Sequence, residues 1–150
     1  MKKKLILFVI FVIIMVFFTA NLSPDCIADV KSVIEKSYFN GSFNELDTKS
    51  MAKGFHPEFA IFSAKGEKIG RYPIDVWIKG IEKRKADPDF DKSKVKMDCK
   101  IVNLDVTGGC ASAKVTIARN GKVIYTDYLS LLKFKDGWKI VAKVYHKHKK

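Results

Sequence analysis

Three turn signals constrain this chain more than any other feature: Gly108-Gly109, Asn120-Gly121 and Asp136-Gly137. They separate apolar-rich runs over roughly 95–106, 110–119, 122–135 and 138–146. Each pair offers residues that tolerate the positive φ angles of a two-residue hairpin turn. Runs of this length joined by such turns predict an antiparallel meander.

Taken literally, the turns set a register. A type I′ turn at Asp136-Gly137 puts Lys135 against Trp138, Leu131 against Ala142 and Tyr128 against Tyr145. Across Asn120-Gly121, Ala113 faces Tyr128 and Lys114 faces Asp127; across Gly108-Gly109, Val106 faces Ala111 and Leu104 faces Ala113. Alternation then sorts side chains between two faces. The predicted core face carries Val102, Leu104, Val106, Ala111, Ala113, Val115, Ile117, Ile124, Tyr128, Leu132, Phe134 and Val141. The other face carries Asn103, Asp105, Ser112, Lys114, Thr116 and Asp127, then Leu129, Leu131, Trp138, Ile140, Ala142 and Val144. Its apolar part, Leu129, Leu131, Ile140 and Val144, predicts a homodimer, because large contiguous apolar patches mark interaction sites.

Three helices are signalled before the meander. Ser23-Pro24 supplies a cap and a first-turn proline, Ile27, Val30, Ile34 and Tyr38 follow at helical spacing, and Asn40-Gly41 ends the run. Ser42 with Glu45 fits a capping box, so a short second helix is expected from there to about Lys53-Gly54. Pro73 opens the third, with Ile74, Trp77, Ile78 and Ile81 on one face, and Asp87-Pro88 closes it. Between the last two, "EFAIFSAKGEKIGRY" reads as two strands about Lys65-Gly66.

Lys2, Lys3 and Lys4 precede an uncharged, mostly apolar run from Leu5 to Ala20. That is the pattern of a secretory signal, with a retained membrane anchor as the alternative. A spanning helix takes about 20 apolar residues, so the run is slightly short for an anchor. A lipoprotein would need a small-residue box before Cys26, which Ser23-Pro24-Asp25 does not supply. The chain therefore divides into a leader, 1–20, and one domain, 21–150, expected to be exported, periplasmic or secreted. Losing the leader lowers the net charge from +12 to +9. The charge is spread along the chain, and no nucleic-acid motif accompanies it, so it reads as a solvated surface with no nucleic-acid partner. A membrane partner enters only if residues 5–20 are retained.

Cys26, Cys99 and Cys110 make an odd count. In the register above, Cys99 faces Ala118, and at about 3.3 Å per residue this leaves it roughly 26 Å from Cys110. A bridge between those two is excluded at that distance, and free thiols are the expectation.

The stretches "SYFNGSFNEL", "FHPEFAIF", "GRYPIDVWIKGI" and "DYLSLLKFKDGWKIV" resemble the NTF2-like superfamily, in the branch labelled "putative lumazine-binding" or SnoaL-like. The resemblance covers residues 25 to 146. It implies an α+β, cystatin-like cone: three N-terminal helices packed on a strongly bent antiparallel sheet, open at one end. It also implies that dimers form through the outer sheet face, and that some relatives are enzymes of the ketosteroid-isomerase or limonene-epoxide-hydrolase type.

Candidate ligand-binding residues follow from the register and the resemblance together. Tyr128, Tyr145 and Ser130 would face the interior, Trp77 would form a pocket wall, and His56, extended before Pro57, would sit near the mouth. Asp127 is an acid inside an apolar strand; the register places it outside, between Lys114 and His146, as a surface ion-pair row. An isomerase needs an interior carboxylate base and a hydroxyl for the oxyanion. Tyr128 supplies the hydroxyl, but no interior carboxylate is expected, so no catalytic residue is assigned. His146-x-His148 lacks a third metal ligand, and there is no Walker loop, nucleophile elbow or zinc spacing. The sequence reads as a cofactor-free module binding a small apolar or aromatic ligand, or a dimeric interaction domain. The alternative is a small SnoaL-like or isomerase-like enzyme acting on an apolar cyclic substrate.

Overall fold

The structure, a computed structural model, describes residues 24–149; the expected leader lies outside them. Helix α1, Pro24–Val33, runs directly into a π-helical stretch, Ile34–Asn44. The wide turn is closed by Glu45 N–H donating to the Asn40 carbonyl at 2.8 Å. The first helical run therefore passes through Asn40-Gly41, and the capping box expected at Ser42 does not form. Gly41 is needed for packing here: a Cβ on it would come within 2.8 Å of Met51 Cγ. The second helix, α2, Thr48–Gly54, starts later, capped by Asp47, whose Oδ1 accepts from Lys49 N–H and Ser50 N–H at 3.0 and 3.1 Å. Helix α3, Ile74–Lys85, opens after Pro73 as expected.

The strands are β1 (Phe55–Lys65), β2 (Lys68–Pro73), β3 (Asp98–Thr107), β4 (Cys110–Arg119), β5 (Lys122–Phe134) and β6 (Gly137–Lys147). They form one sheet in the order β2-β1-β6-β5-β4-β3. The sheet is mixed, because β1 runs parallel to β6. Helices on one face of this bent sheet make the α+β cone.

All three meander hairpins are present, but three extra residues change which way the side chains point. Val102 in β3, Ile124 in β5 and Val141 in β6 each sit where the pairing register shifts by one. An extra residue bends a strand and exchanges the faces of everything beyond it. The Gly108-Gly109 pairing holds, with Val106 against Ala111 and Leu104 against Ala113. At Asn120-Gly121 both residues take positive φ, 51° and 73°, as a type I′ turn requires. The bulge at Ile124 then moves Asp127 from Lys114 to Val115, turning it inward.

The last hairpin departs from expectation at the turn itself. Phe134 pairs with Gly137, so Lys135-Asp136 form the loop, and only Gly137 (φ 112°) has a positive φ there. The type I′ turn at Asp136-Gly137 does not form. The inward faces of β5, and of β6 as far as Val141, are consequently the reverse of those expected; beyond Val141 the bulge restores the expected face of β6, with Tyr145 inward and Val144 outward. Leu129, Leu131, Trp138 and Ile140 are core, while Val102, Tyr128, Leu132 and Phe134 lie at the surface. Leu129, Leu131 and Ile140 are at most 1% exposed, so the homodimer face expected on them is unavailable.

Energetics explain the choice. The reversed faces bury Leu129, Leu131, Trp138 and Ile140 against Val115 and Ile117. Each large apolar side chain contributes about 1.5–3 kcal/mol when fully buried. The opposite choice would bury Thr126, Tyr128 and Ser130, three hydroxyls needing partners. The adopted one buries a single carboxylate, Asp127, together with a cation. Cys99 pairs with Ile117, at the far end of β4 from Cys110, and all three cysteines are free, as expected.

Candidate functional site

The two bulges in β5 and β6 bring together residues that each look misplaced in sequence. Ile124 turns Asp127 inward, and Val141 does the same for Lys143, a lone lysine in "IVAKVY". Both are buried, Asp127 completely and Lys143 at 6% exposure. Lys143 Nζ lies 3.3 Å from Asp127 Oδ2 and donates to the Tyr38 hydroxyl oxygen at 2.7 Å. Tyr38, carried inward by the π-helical stretch, donates its own proton to Asp127 Oδ2. Asp127 Oδ1 has no partner among the described residues.

Burial governs the acid-base state of this cluster. Loss of water, reinforced by the charge and hydrogen bond of Asp127, holds the Tyr38 hydroxyl well above its ordinary pKa. Burial likewise lowers the Lys143 ammonium, against the pull of Asp127 in the other direction. Nearby Cys99 is pushed up to about 12, by burial first and then by Asp98 and Asp127. Aromatic faces offset part of the lost hydration of Lys143. Its Nζ sits 5.1 Å from the Tyr38 ring centroid, 5.4 Å from Trp77 and 5.2 Å from Tyr145, all within cation–π range.

Above this cluster opens a cleft of about 350 Å³. Its floor includes Lys143; its walls include Phe43, Trp77, Tyr125, Tyr145 and Tyr72. The β1–β2 hairpin closes one side with Ile61, Ser63, Lys65, Gly70 and Arg71. Trp77 is braced by Phe55 at 5.7 Å and Tyr38 at 6.2 Å, both edge-on, so its plane is fixed by the core. Tyr125 and Tyr145 meet edge-on at 6.0 Å.

The residues expected at a pocket divide into two groups. Trp77 and Tyr145 both line the cleft. Tyr128 and Ser130 face outward, because the bulge at Ile124 reversed their strand; Tyr128 lies beneath Lys114 Nζ at 5.9 Å. His56 stacks on Phe134 at 4.8 Å, and its Nδ1 accepts from Glu58 N–H at 3.2 Å, so it does not line the cleft. The surface row of Lys114, Asp127 and His146 does not exist: Asp127 pairs with Val115 and Tyr145, while His146 pairs with Thr126. An interior carboxylate is therefore present where none was expected. Tyr38 and Lys143 are the functional candidates the sequence reading missed. The available signal was charge: Asp127 and Lys143 are the isolated ionic residues of their apolar strand segments.

A bent mixed sheet, helices on its concave side and a cleft opening between them define the NTF2-like class. The chain belongs to the family described as "Putative lumazine-binding", whose profile matches residues 25–146. Solved structures agree on the fold. An NTF2-like protein of unknown function from Shewanella baltica is 25% identical, with a TM-score of 0.63, covering 87% of this chain and 100% of that one. One from Methylobacillus flagellatus is also 25% identical, with a TM-score of 0.64, covering 86% and 97%. A domain with a cystatin-like fold from Nostoc punctiforme, 9% identical, has a TM-score of 0.61 and covers 85% and 80%. No protein of curated function matches the chain.

Proposed function

We propose that this chain is a binding module for a small flat aromatic or heteroaromatic molecule, held in the cleft beside Trp77. The observation that carries this reading is the cleft's make-up: aromatic walls around one buried ammonium. A flat ring gains area and stacking from Trp77, Tyr125 and Tyr145. Lys143 has three N–H donors, of which Tyr38 and Asp127 engage two. The third suits a ring carbonyl oxygen. A pteridinedione has such carbonyls on a flat ring, which agrees with the family's description.

The enzyme alternative is less well supported. A proton-abstracting base must reach its substrate. The Asp127 carboxylate is fully buried and tied to Tyr38 and Lys143, and His56 stands away on Phe134. Tyr38, with its hydroxyl held protonated, acts as a support for Lys143.

Isothermal titration of the full chain with lumazine tests the reading. Saturable one-to-one binding is expected, weakened about two- to tenfold by Trp77→Leu, since stacking on a ring contributes about 0.5–1.5 kcal/mol beyond its area burial. Equal affinity in wild type and Trp77→Leu would refute this site.

We further propose a homodimer through the outer sheet face. Phe62, Val144 and Tyr128 lie side by side on β1, β6 and β5 there, with Val144 and Tyr128 about half exposed. Such a row favours association with a second apolar surface.

A further inference from the structure

We infer that the ligand carries an acidic group, a carboxylate or phosphate, seated between Arg84 and Arg119 at the far end of the cleft. This rests on the aromatic-ring reading and extends it. A second hollow of about 360 Å³ adjoins the first and shares Phe43, Tyr72, Trp77 and Tyr125 with it. Its remaining walls include Ser42, Arg84 and Arg119.

Composition makes these arginines significant. The chain has 28 basic residues, and only Arg71, Arg84 and Arg119 are arginine. All three line the two joined hollows. None is in an ion pair among the described residues, and neither hollow has an Asp or Glu in its wall. A generally basic, solvated surface would not sort arginine from lysine in this way. The planar guanidinium matches carboxylate and phosphate oxygens two at a time, which an ammonium cannot do. Arg84 is also held over the Phe90 ring, 6.0 Å from its centroid.

A second observation points to the same end of the cleft. Ser42 is 4% exposed, lines this hollow, and its Oγ has no hydrogen-bond partner. Buried hydroxyls are normally paired, and an acidic group between the arginines would supply an acceptor. The lysine-rich hollow beside Trp138 differs: Asp29 and Asp136 share its wall, and Lys139 already pairs with Asp136 at 2.9 Å. Its four lysines are partly neutralised by these two aspartates, whereas the arginine-lined end has no acid in its wall.

The test compares lumazine with lumazine-6-carboxylate by calorimetry on the full chain, in low salt and in about 0.5 M NaCl. The carboxylate should bind about tenfold more tightly in low salt, as a charge-assisted pair warrants. That advantage should shrink in high salt. In R84Q/R119Q the carboxylate should bind no better than lumazine does to the same variant, with R84K/R119K restoring part of the difference. Equal affinity of the two rings for wild type overturns the acidic-group inference and leaves the ring reading standing. Binding of neither ring at millimolar concentration overturns both. An advantage that persists in R84Q/R119Q overturns the assignment to these arginines.

Discussion

Lys143 and Asp127 make sense only as a pair. Either charge alone at that depth would cost several kcal/mol, and together with Tyr38 they satisfy most of each other's demand. Replacing one member leaves the other stranded. Lys143→Met should therefore lower the unfolding free energy in urea by about 3–5 kcal/mol, and adding Asp127→Asn should recover a substantial part. A double variant as unstable as the single one would show that the pair is not the source. The pH response has a defined sign. Lys143 has a folded pKa below its ordinary 10.5, so its contribution raises stability as pH climbs through that window. Tyr38 has a folded pKa above 10.0, so its contribution is complete below pH 10 and is lost as pH rises further through the folded value. Lys143→Met should abolish the alkaline rise that precedes the Tyr38 loss.

At the scale of elements, the strand boundaries were legible because turn chemistry is local. Gly108-Gly109 and Asn120-Gly121 lie between paired strands, and the turn expected at Lys65-Gly66 falls one residue later, at Gly66-Glu67. The faces of β5 and β6 were not legible, because no single residue type announces a bulge. Val102, Ile124 and Val141 are ordinary strand residues, and each was assigned to the core face. What selects their positions is the whole-sheet choice between burying Leu129 and Leu131 or burying Tyr128 and Ser130. Half of the site was therefore misread: Trp77 was placed by helical spacing, which bulges do not disturb, while Asp127 was turned outward by one uncounted residue. Tyr38 was placed on an apolar stripe, but the π-helical turn that aims it at β5 leaves no sequence trace. The observed turn makes a specific demand on Gly137, whose φ of 112° disfavours any side chain. Gly137→Ala should destabilise the fold by about 1 kcal/mol or more, whereas Gly109→Ala, with ordinary φ and a nearest contact of 3.9 Å, should cost less. Equal denaturation midpoints for the two variants would contradict this turn geometry.

For the whole molecule, curvature links the parts. Bulges bend the sheet, the bend leaves a cleft under Trp77, and the same reversal that buries Leu129 and Leu131 puts Tyr128 outside, beside Val144. If the outer face forms the dimer, Val144→Lys should give a folded monomer by light scattering while leaving calorimetric binding of lumazine unchanged. Wild type that is already monomeric at micromolar concentration would rule that interface out. The central claim, a flat ring seated against Trp77, has a built-in control, because the chain holds two tryptophans that line different hollows. Trp77 lines the aromatic cleft, while Trp138 lines the separate lysine-rich hollow. The direct measurement is a proton–nitrogen NMR spectrum of the two indole N–H groups during titration with lumazine. The Trp77 indole signal should move in a saturable way while that of Trp138 stays in place; movement of Trp138 alone, or of neither up to millimolar lumazine, would contradict the site.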